Sequence, residues 1–156
     1  MRYLLTFLLL LFGSTLTTRA QSVSSLIDSQ NFVFTANTAQ PEGSVARGLS
    51  NFTYTIKITK DAIVCGLPYW GRSTTSFDDG HGPLDFTSKK FSYKITPGKK
   101  DGWKILIRPK DNSEFVELQL NIGADGYTSV TASFNDRQPI SFGGGIAAPG
   151  SNPNPN

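Results

Sequence analysis

The chain has 156 residues, of which 15 are Lys or Arg and 12 are Asp or Glu, giving a formal net charge of +3. This length suits one domain with a buried core, and a single cysteine excludes an internal disulfide framework. The charge excess is small, and the basic pairs Lys89-Lys90 and Lys99-Lys100 lie in or beside predicted turns, where solvated lysines are usual. The sequence therefore does not indicate nucleic-acid binding.

The N-terminal 20 residues have the pattern of a cleavable secretory signal peptide. Arg2 precedes an apolar run, Leu4–Phe12, that is interrupted only by Thr6. About nine apolar residues match the hydrophobic region of a signal peptide, whereas a membrane-spanning helix needs about 20. The small residues before and at Ala20 predict cleavage after that position. The mature chain would keep 13 basic and 12 acidic residues, and the absence of a cysteine at the cleavage point argues against a lipid anchor.

Residues 21–30 form an N-terminal segment in which Val23–Ser29 predicts a short helical turn, with its apolar residues on one side. From residue 31 onward apolar and polar residues alternate, as they do in half-buried strands. The clearest case is Asn51–Thr59, where Tyr54, Ile56 and Ile58 share one face. The predicted strands span residues 31–36, 51–59, 62–67, 91–95, 103–108, 116–122, 127–134 and 139–142.

The connections after Phe91 hold about four to six residues, too few for a parallel crossover, so neighbouring strands must be antiparallel. We therefore predict an all-β domain, an antiparallel meander of about eight strands. It would close into a β-sandwich or a partly open lipocalin-like barrel, because a long open sheet leaves exposed edges. The domain would cover residues 31–146. From Gly143 onward the chain has little apolar content, and we expect residues 147–156 to form a disordered tail.

One connection is unusually long and concentrates residue types that are common in binding sites. Between Leu67 and Leu84 lie Tyr69, Trp70 and Arg72, and Trp, Tyr and Arg dominate binding hot spots. Two interpretations stay open at this point. The aromatic rings could close one end of the barrel as part of its core, or they could present a surface for a ligand or a partner.

The sequence predicts no catalytic residue, no metal site and no cofactor. Asp78, Asp79, His81 and Asp85 lie close together, but their spacing matches no calcium loop. Cys65 lies in an apolar run, where a thiol behaves as a small buried hydrophobe, and nothing in the spacing pairs it with a base.

Five segments resemble those of a known family, DUF4251, whose members are exported bacterial proteins found chiefly in the Bacteroidetes. They are Phe32–Ala36, Leu67–Arg72, Tyr93–Ile95, Trp103–Ile107 and Ile140–Gly144, and the Leu-Pro-Tyr-Trp-Gly element is the most specific of them. The resemblance extends over about residues 31–146. It implies a β-rich protein in the periplasm of a Gram-negative bacterium or secreted from it. It implies no activity, because the family has no assigned function.

Three functions are compatible with these observations. The first is a non-enzymatic binding module that presents Tyr69, Trp70 and Arg72 at an open barrel end to a small apolar ligand or a partner. The second is an envelope structural or interaction protein without a small ligand. The third, a hydrolase using His81 and an aspartate, lacks an identifiable nucleophile. In none of them do we expect a nucleic-acid partner, or stable membrane insertion after signal cleavage.

Overall fold

The structure is a computed structural model that describes residues 22–49, 54–72, 82, 84–112 and 115–151. Within these ranges the chain forms one short helix and ten strands in a single sheet. Their bounds are α1 Val23–Ser29, β1 Phe32–Pro41, β2 Arg47–Gly48, β3 Thr55–Ile58, β4 Ile63–Gly66, β5 Asp85–Ser88, β6 Phe91–Pro97, β7 Trp103–Pro109, β8 Phe115–Ile122, β9 Tyr127–Phe134 and β10 Ile140–Ala147.

Helix α1 confirms the predicted helical turn. Ser22 caps its first turn, because the Ser22 side chain accepts a hydrogen bond of 3.2 Å from the backbone N–H of Ser25. Gln30 ends the helix in the left-handed conformation, with φ 50°. Leu26 and Ile27 are buried in the core, so this short helix is stabilised by packing more than by its own hydrogen bonds.

The strands follow the order β5-β4-β3-β1-β10-β9-β8-β7-β6, and every neighbouring pair is antiparallel. β2 pairs with the second half of β1 only. Because direction alternates along these nine strands, β5 and β6, at the two ends of the order, run in the same direction. Only Lys89 and Lys90 separate them, so the chain passes from one to the other without reversing. Counted as one bent strand, they complete an eight-stranded meander that is nearly closed into a barrel. This confirms the predicted fold class.

Asp111, just after β7, holds this bend in place. Its carboxylate accepts hydrogen bonds from the Ser88 hydroxyl and from the backbone N–H groups of Lys89 and Lys90, the last two at 2.9 and 3.0 Å. The backbone N–H of Lys110 also donates to the Lys90 carbonyl, at 2.6 Å. Backbone groups at the bend that have no partner strand are thereby satisfied by the residues that follow β7.

The core fills the inside of the sheet with the alternate residues of each strand. Phe34 of β1 lies opposite Ile56 of β3 on one side and opposite Ile146 of β10 on the other. Phe32 and Phe34 are both fully buried, and burying a side chain of this kind stabilises the fold by about 1.5–3 kcal/mol. β1 therefore joins the two halves of the core.

The alternating strand directions define two ends of the barrel. The helix end carries α1 and the β3–β4, β6–β7 and β8–β9 turns. The loop end carries the β4–β5, β7–β8 and β9–β10 connections. The short connections between predicted strands 51–59 and 62–67, and between 116–122 and 127–134, both lie at the helix end.

The observed elements differ from the sequence prediction in several places, and β1 runs to Pro41 rather than ending at Ala36. β5 and the two-residue β2 were not predicted, and the predicted residues 51–53 lie outside the described residues. β10 runs to Ala147 rather than stopping at Phe142, so the glycine-rich residues after it are strand and not disordered chain. Glycine is needed in this part of the strand because β10 packs closely against β1. A side chain at Gly144 would collide with the carbonyl oxygen of Thr35 on β1.

Candidate functional site

Tyr69 anchors the start of the β4–β5 connection to the β9–β10 connection. Its hydroxyl lies 3.0 Å from the Arg72 carbonyl oxygen and 2.9 Å from that of Gln138, and it donates its one proton between them. The ring meets Phe134 edge-on, with centroids 5.3 Å apart and planes at 74°. Burial raises the pKa of Tyr69 above its usual value of 10. Tyr69 is thus a structural anchor.

The backbone of the connection is held at the same place. The N–H of Arg72 donates to the side-chain oxygen of Gln138 at 3.2 Å, and the N–H of Gln138 donates to the Arg72 carbonyl at 3.1 Å. These bonds join residues 66 positions apart in the chain. The described part of the connection therefore lies on a fixed base.

A partly buried ion pair supports this base from the β9–β10 side. The guanidinium of Arg137 donates two hydrogen bonds to Asp136, at 2.7 and 2.6 Å, and its side chain is only 2% exposed. The Arg137 guanidinium carbon also lies 5.5 Å from the ring centroid of Phe134. Phe134 therefore contacts Tyr69 and also lies close to Arg137. The sequence did not indicate this cluster, because Asp136 and Arg137 lie between two predicted strands and match no motif.

Trp70 and Arg72 lie on the surface beside this anchor. The Trp70 side chain is 45% exposed and Arg72 is also exposed. The structure therefore separates the three residues singled out from the sequence: Tyr69 packs inward, whereas Trp70 and Arg72 face solvent. We call the surface formed by Trp70 and Arg72 the loop-end corner.

The other chemically reactive residues do not form a site in the described structure. Asp78, Asp79 and His81 lie outside the described residues, and Asp85 is exposed at the start of β5. Across the described ranges, no three His, Cys, Asp or Glu side chains are grouped as metal ligands would be. Cys65 is 1% exposed on β4, and burial raises the pKa of its thiol, which opposes thiolate formation.

A second surface feature, which the sequence did not indicate, lies at the helix end. It is an open groove of about 950 Å³ beside the β6–β7 and β8–β9 turns, and a smaller cavity of about 190 Å³ adjoins the β8–β9 turn. Neither is lined by residues of the loop-end corner. The one sequence feature that pointed to this surface was the lysine pair Lys99-Lys100, which lies in a predicted turn.

Fold and surface together define a small antiparallel β-barrel domain with a tightly packed interior and an exposed aromatic corner at one end. The family model described as "Domain of unknown function (DUF4251)" matches residues 15–146. The chain belongs to this family, and the resemblance seen in its sequence is confirmed.

The fold is shared with a solved structure. A DUF4251 family protein from Bacteroides eggerthii DSM 20697 superimposes with a TM-score of 0.60 and 14% sequence identity, covering 80% of this chain and 84% of that one. No curated protein matches the chain in sequence. Within the described residues, no helix has the length and apolar content needed to cross a membrane.

Proposed function

We propose that this protein is an exported, non-enzymatic binding protein whose loop-end corner binds an extracytoplasmic protein. The observation that carries the proposal is the contrast between two adjacent aromatic residues. Tyr69 is fixed by hydrogen bonds and by Phe134, while Trp70 beside it keeps 45% of its side chain exposed. A large apolar side chain held in water on a rigid base loses little conformational entropy when a partner covers it.

A protein partner fits this corner better than a small ligand enclosed in the barrel. An enclosed ligand would need a cavity of about 300 Å³ or more. The inward side chains of the described strands are instead packed against one another, and the larger groove opens at the opposite end. Arg72 beside Trp70 adds a planar cation that can bind carboxylates with two hydrogen bonds.

Two further features support the remaining parts of the proposal. The signal-peptide pattern of residues 1–20 supports export to the periplasm or beyond it, and mass spectrometry of the mature protein should find a chain that begins at Gln21. A chain still beginning at Met1 would contradict export by this route. The burial of Cys65 supports a non-enzymatic role, because it removes the one thiol from nucleophilic chemistry.

Site-specific photo-crosslinking in the native cell tests the binding surface. A photoreactive residue at position 70 should crosslink to one defined protein, and Arg72→Ala should lower the crosslinked fraction severalfold. Position 64 is the matched control, because Val64 is 44% exposed and belongs to the first half of β4, the strand that begins at the helix end. Equal crosslinking from positions 64 and 70 would show that no specific partner contacts the corner.

The stability of two variants separates recognition from core packing. Trp70→Ala should change the free energy of unfolding by less than about 0.5 kcal/mol, as for most surface substitutions. Tyr69→Phe should lower it by about 1 kcal/mol, because the Gln138 carbonyl loses the hydroxyl donor, whereas the Arg72 carbonyl keeps the N–H of Gln138. A Trp70→Ala variant that unfolds would assign Trp70 to the core and contradict the proposal.

A further inference from the structure

The groove at the helix end has the size of a ligand site. Its volume of about 950 Å³ lies within the range of about 300–1,000 Å³ that is usual for such sites. It is bounded by the β6–β7 turn and the β8–β9 turn and continues onto the adjoining ends of β7 to β9. It lies at the opposite end of the barrel from the loop-end corner.

The charges around the groove favour an anion. Lys99 and Lys100 line it from the β6–β7 turn and Lys104 from β7, and all three are exposed. Among the described lining residues Asp125 is the one acid, and its carboxylate accepts a 3.0 Å hydrogen bond from the backbone N–H of Tyr127. The lining of the groove thus carries three ammonium groups and one carboxylate, and that carboxylate already accepts a hydrogen bond from the protein backbone.

Tyr127 provides an exposed aromatic surface in the same groove. The side chain is 62% exposed, although Tyr127 belongs to a strand paired on both sides. It lies opposite Gly145 on β10, and its hydroxyl would be 2.8 Å from a Cβ placed on Gly143. The glycines of β10 therefore leave room for the ring to lie along the sheet, where a flat apolar ligand surface can stack on it.

A row of polar side chains lies across the strands beside this ring. Lys104, Asn121 and Ser129 occupy paired positions on β7, β8 and β9, and the Asn121 amide nitrogen is 3.5 Å from the Ser129 hydroxyl. An amide and a hydroxyl can each donate and accept, which matches ligand groups that do both. An ammonium group next to them matches a carboxylate.

We propose that this groove binds an anionic oligosaccharide, with a sugar ring stacked on Tyr127, sugar hydroxyls bonded to Asn121 and Ser129, and a ring carboxylate paired with the lysines. Single-stranded nucleic acid also uses aromatic rings and cations. The neutral polar row and the carboxylate of Asp125 favour a hydroxyl-rich ligand instead. This groove is a different surface from the loop-end corner, so an experiment can refute either proposal without affecting the other.

Titration of the protein with a galacturonate tetrasaccharide, followed by amide NMR shifts and calorimetry, tests the proposal. We expect saturable binding with a dissociation constant of about 1 mM or lower, with shifts at Asn121 and Tyr127. Tyr127→Ala should weaken binding about tenfold and Lys104→Gln about threefold, and added salt should weaken it further. Lys57→Gln is the matched control, because this exposed lysine lies on β3, outside the groove.

Four outcomes would overturn the proposal. They are no saturable shift, equal binding of a neutral galactose tetrasaccharide, tighter binding of a single-stranded DNA of equal charge, and an equal loss of affinity in Lys57→Gln and Lys104→Gln. Tyr127 is exposed, so Tyr127→Ala should fold, and Lys104→Gln gives a second variant if it does not. Trp70→Ala should leave the affinity for the tetrasaccharide unchanged, which keeps this test independent of the loop-end corner.

Discussion

Two adjacent glycines of β10 should respond in opposite ways to the same small substitution. Gly144 faces the core opposite Ala36, and a Cβ there would collide with the backbone carbonyl oxygen of Thr35. Gly143 faces outward, and the atoms nearest to a Cβ there would be the hydroxyls of Thr38 and Tyr127, at 2.7 and 2.8 Å. A hydroxyl at the tip of a side chain can move aside, whereas a backbone carbonyl in a ladder cannot.

The expected cost of Gly144→Ala follows from these contacts. Adding a methyl group to a tightly packed core costs about 1–3 kcal/mol, and separating β1 from β10 locally weakens ladder hydrogen bonds worth about 1 kcal/mol each. We therefore expect a loss of about 3 kcal/mol, a large part of the 5–15 kcal/mol typical of a domain. Gly143→Ala should cost less than about 1 kcal/mol.

Urea denaturation of the two variants and the parent protein measures the difference directly. Tyrosine and tryptophan fluorescence and circular dichroism should give coincident transitions, so that a two-state free energy applies. If Gly144→Ala is within about 1 kcal/mol of the parent, or if Gly143→Ala is the more destabilised variant, the packing of β10 against β1 described above is wrong.

Three further predictions concern single groups. Hydrogen bonds from Ser88 and two backbone amides hold the pKa of Asp111 below its usual 3.8. The ionised carboxylate therefore contributes its full stabilisation of the fold above pH 3.8, and this stabilisation disappears as the pH falls through the lowered pKa. Asp111→Asn should remove that part of the acid dependence in urea titrations between about pH 2 and 6, and an unchanged dependence would contradict the clamp. Cys65 should not react with a thiol reagent at about pH 8 until urea unfolds the protein, and immediate labelling would contradict its burial. Lys100 and Asp101 both have positive φ, 50° and 58°, so replacing them with Asn-Gly should raise the stability by about 1 kcal/mol, and a loss in thermal melts would contradict this.

The sequence predicts the strands well where one face is apolar and the other polar. The alternation around Ile56, Ile105 and Leu120 identifies residues that are fully buried, because the period of a strand is two. β5 was missed because its four residues contain a single large apolar residue, Phe86. The end of β10 was missed because glycines carry no pattern, and the reason for them lies in the distant β1 strand.

The loop-end corner shows why sites are harder to predict than strands. Tyr69 and Trp70 are adjacent and chemically alike, so composition cannot say which one is anchored. The choice depends on the carbonyl of Gln138 and the ring of Phe134, which lie more than 60 positions away in the chain. The groove at the helix end is likewise formed by two turns that are adjacent only because β7 and β8 pair.

The bend between β5 and β6 gives the barrel an unusual kind of continuity. Around the sheet, β1 and β10 are the first and last strands of the described chain, and a ladder with one bulge joins them, with Val33 beside Ala147. At the bend the chain is continuous, and the Asp111 carboxylate replaces the ladder. Ends that meet in this way tolerate being joined, so a circular permutant linked across them would move the termini without removing a strand pairing. The ring of strands is therefore closed in two different ways. Hydrogen bonds join β1 to β10, which no short peptide segment connects, and the backbone joins β5 to β6, which no ladder connects.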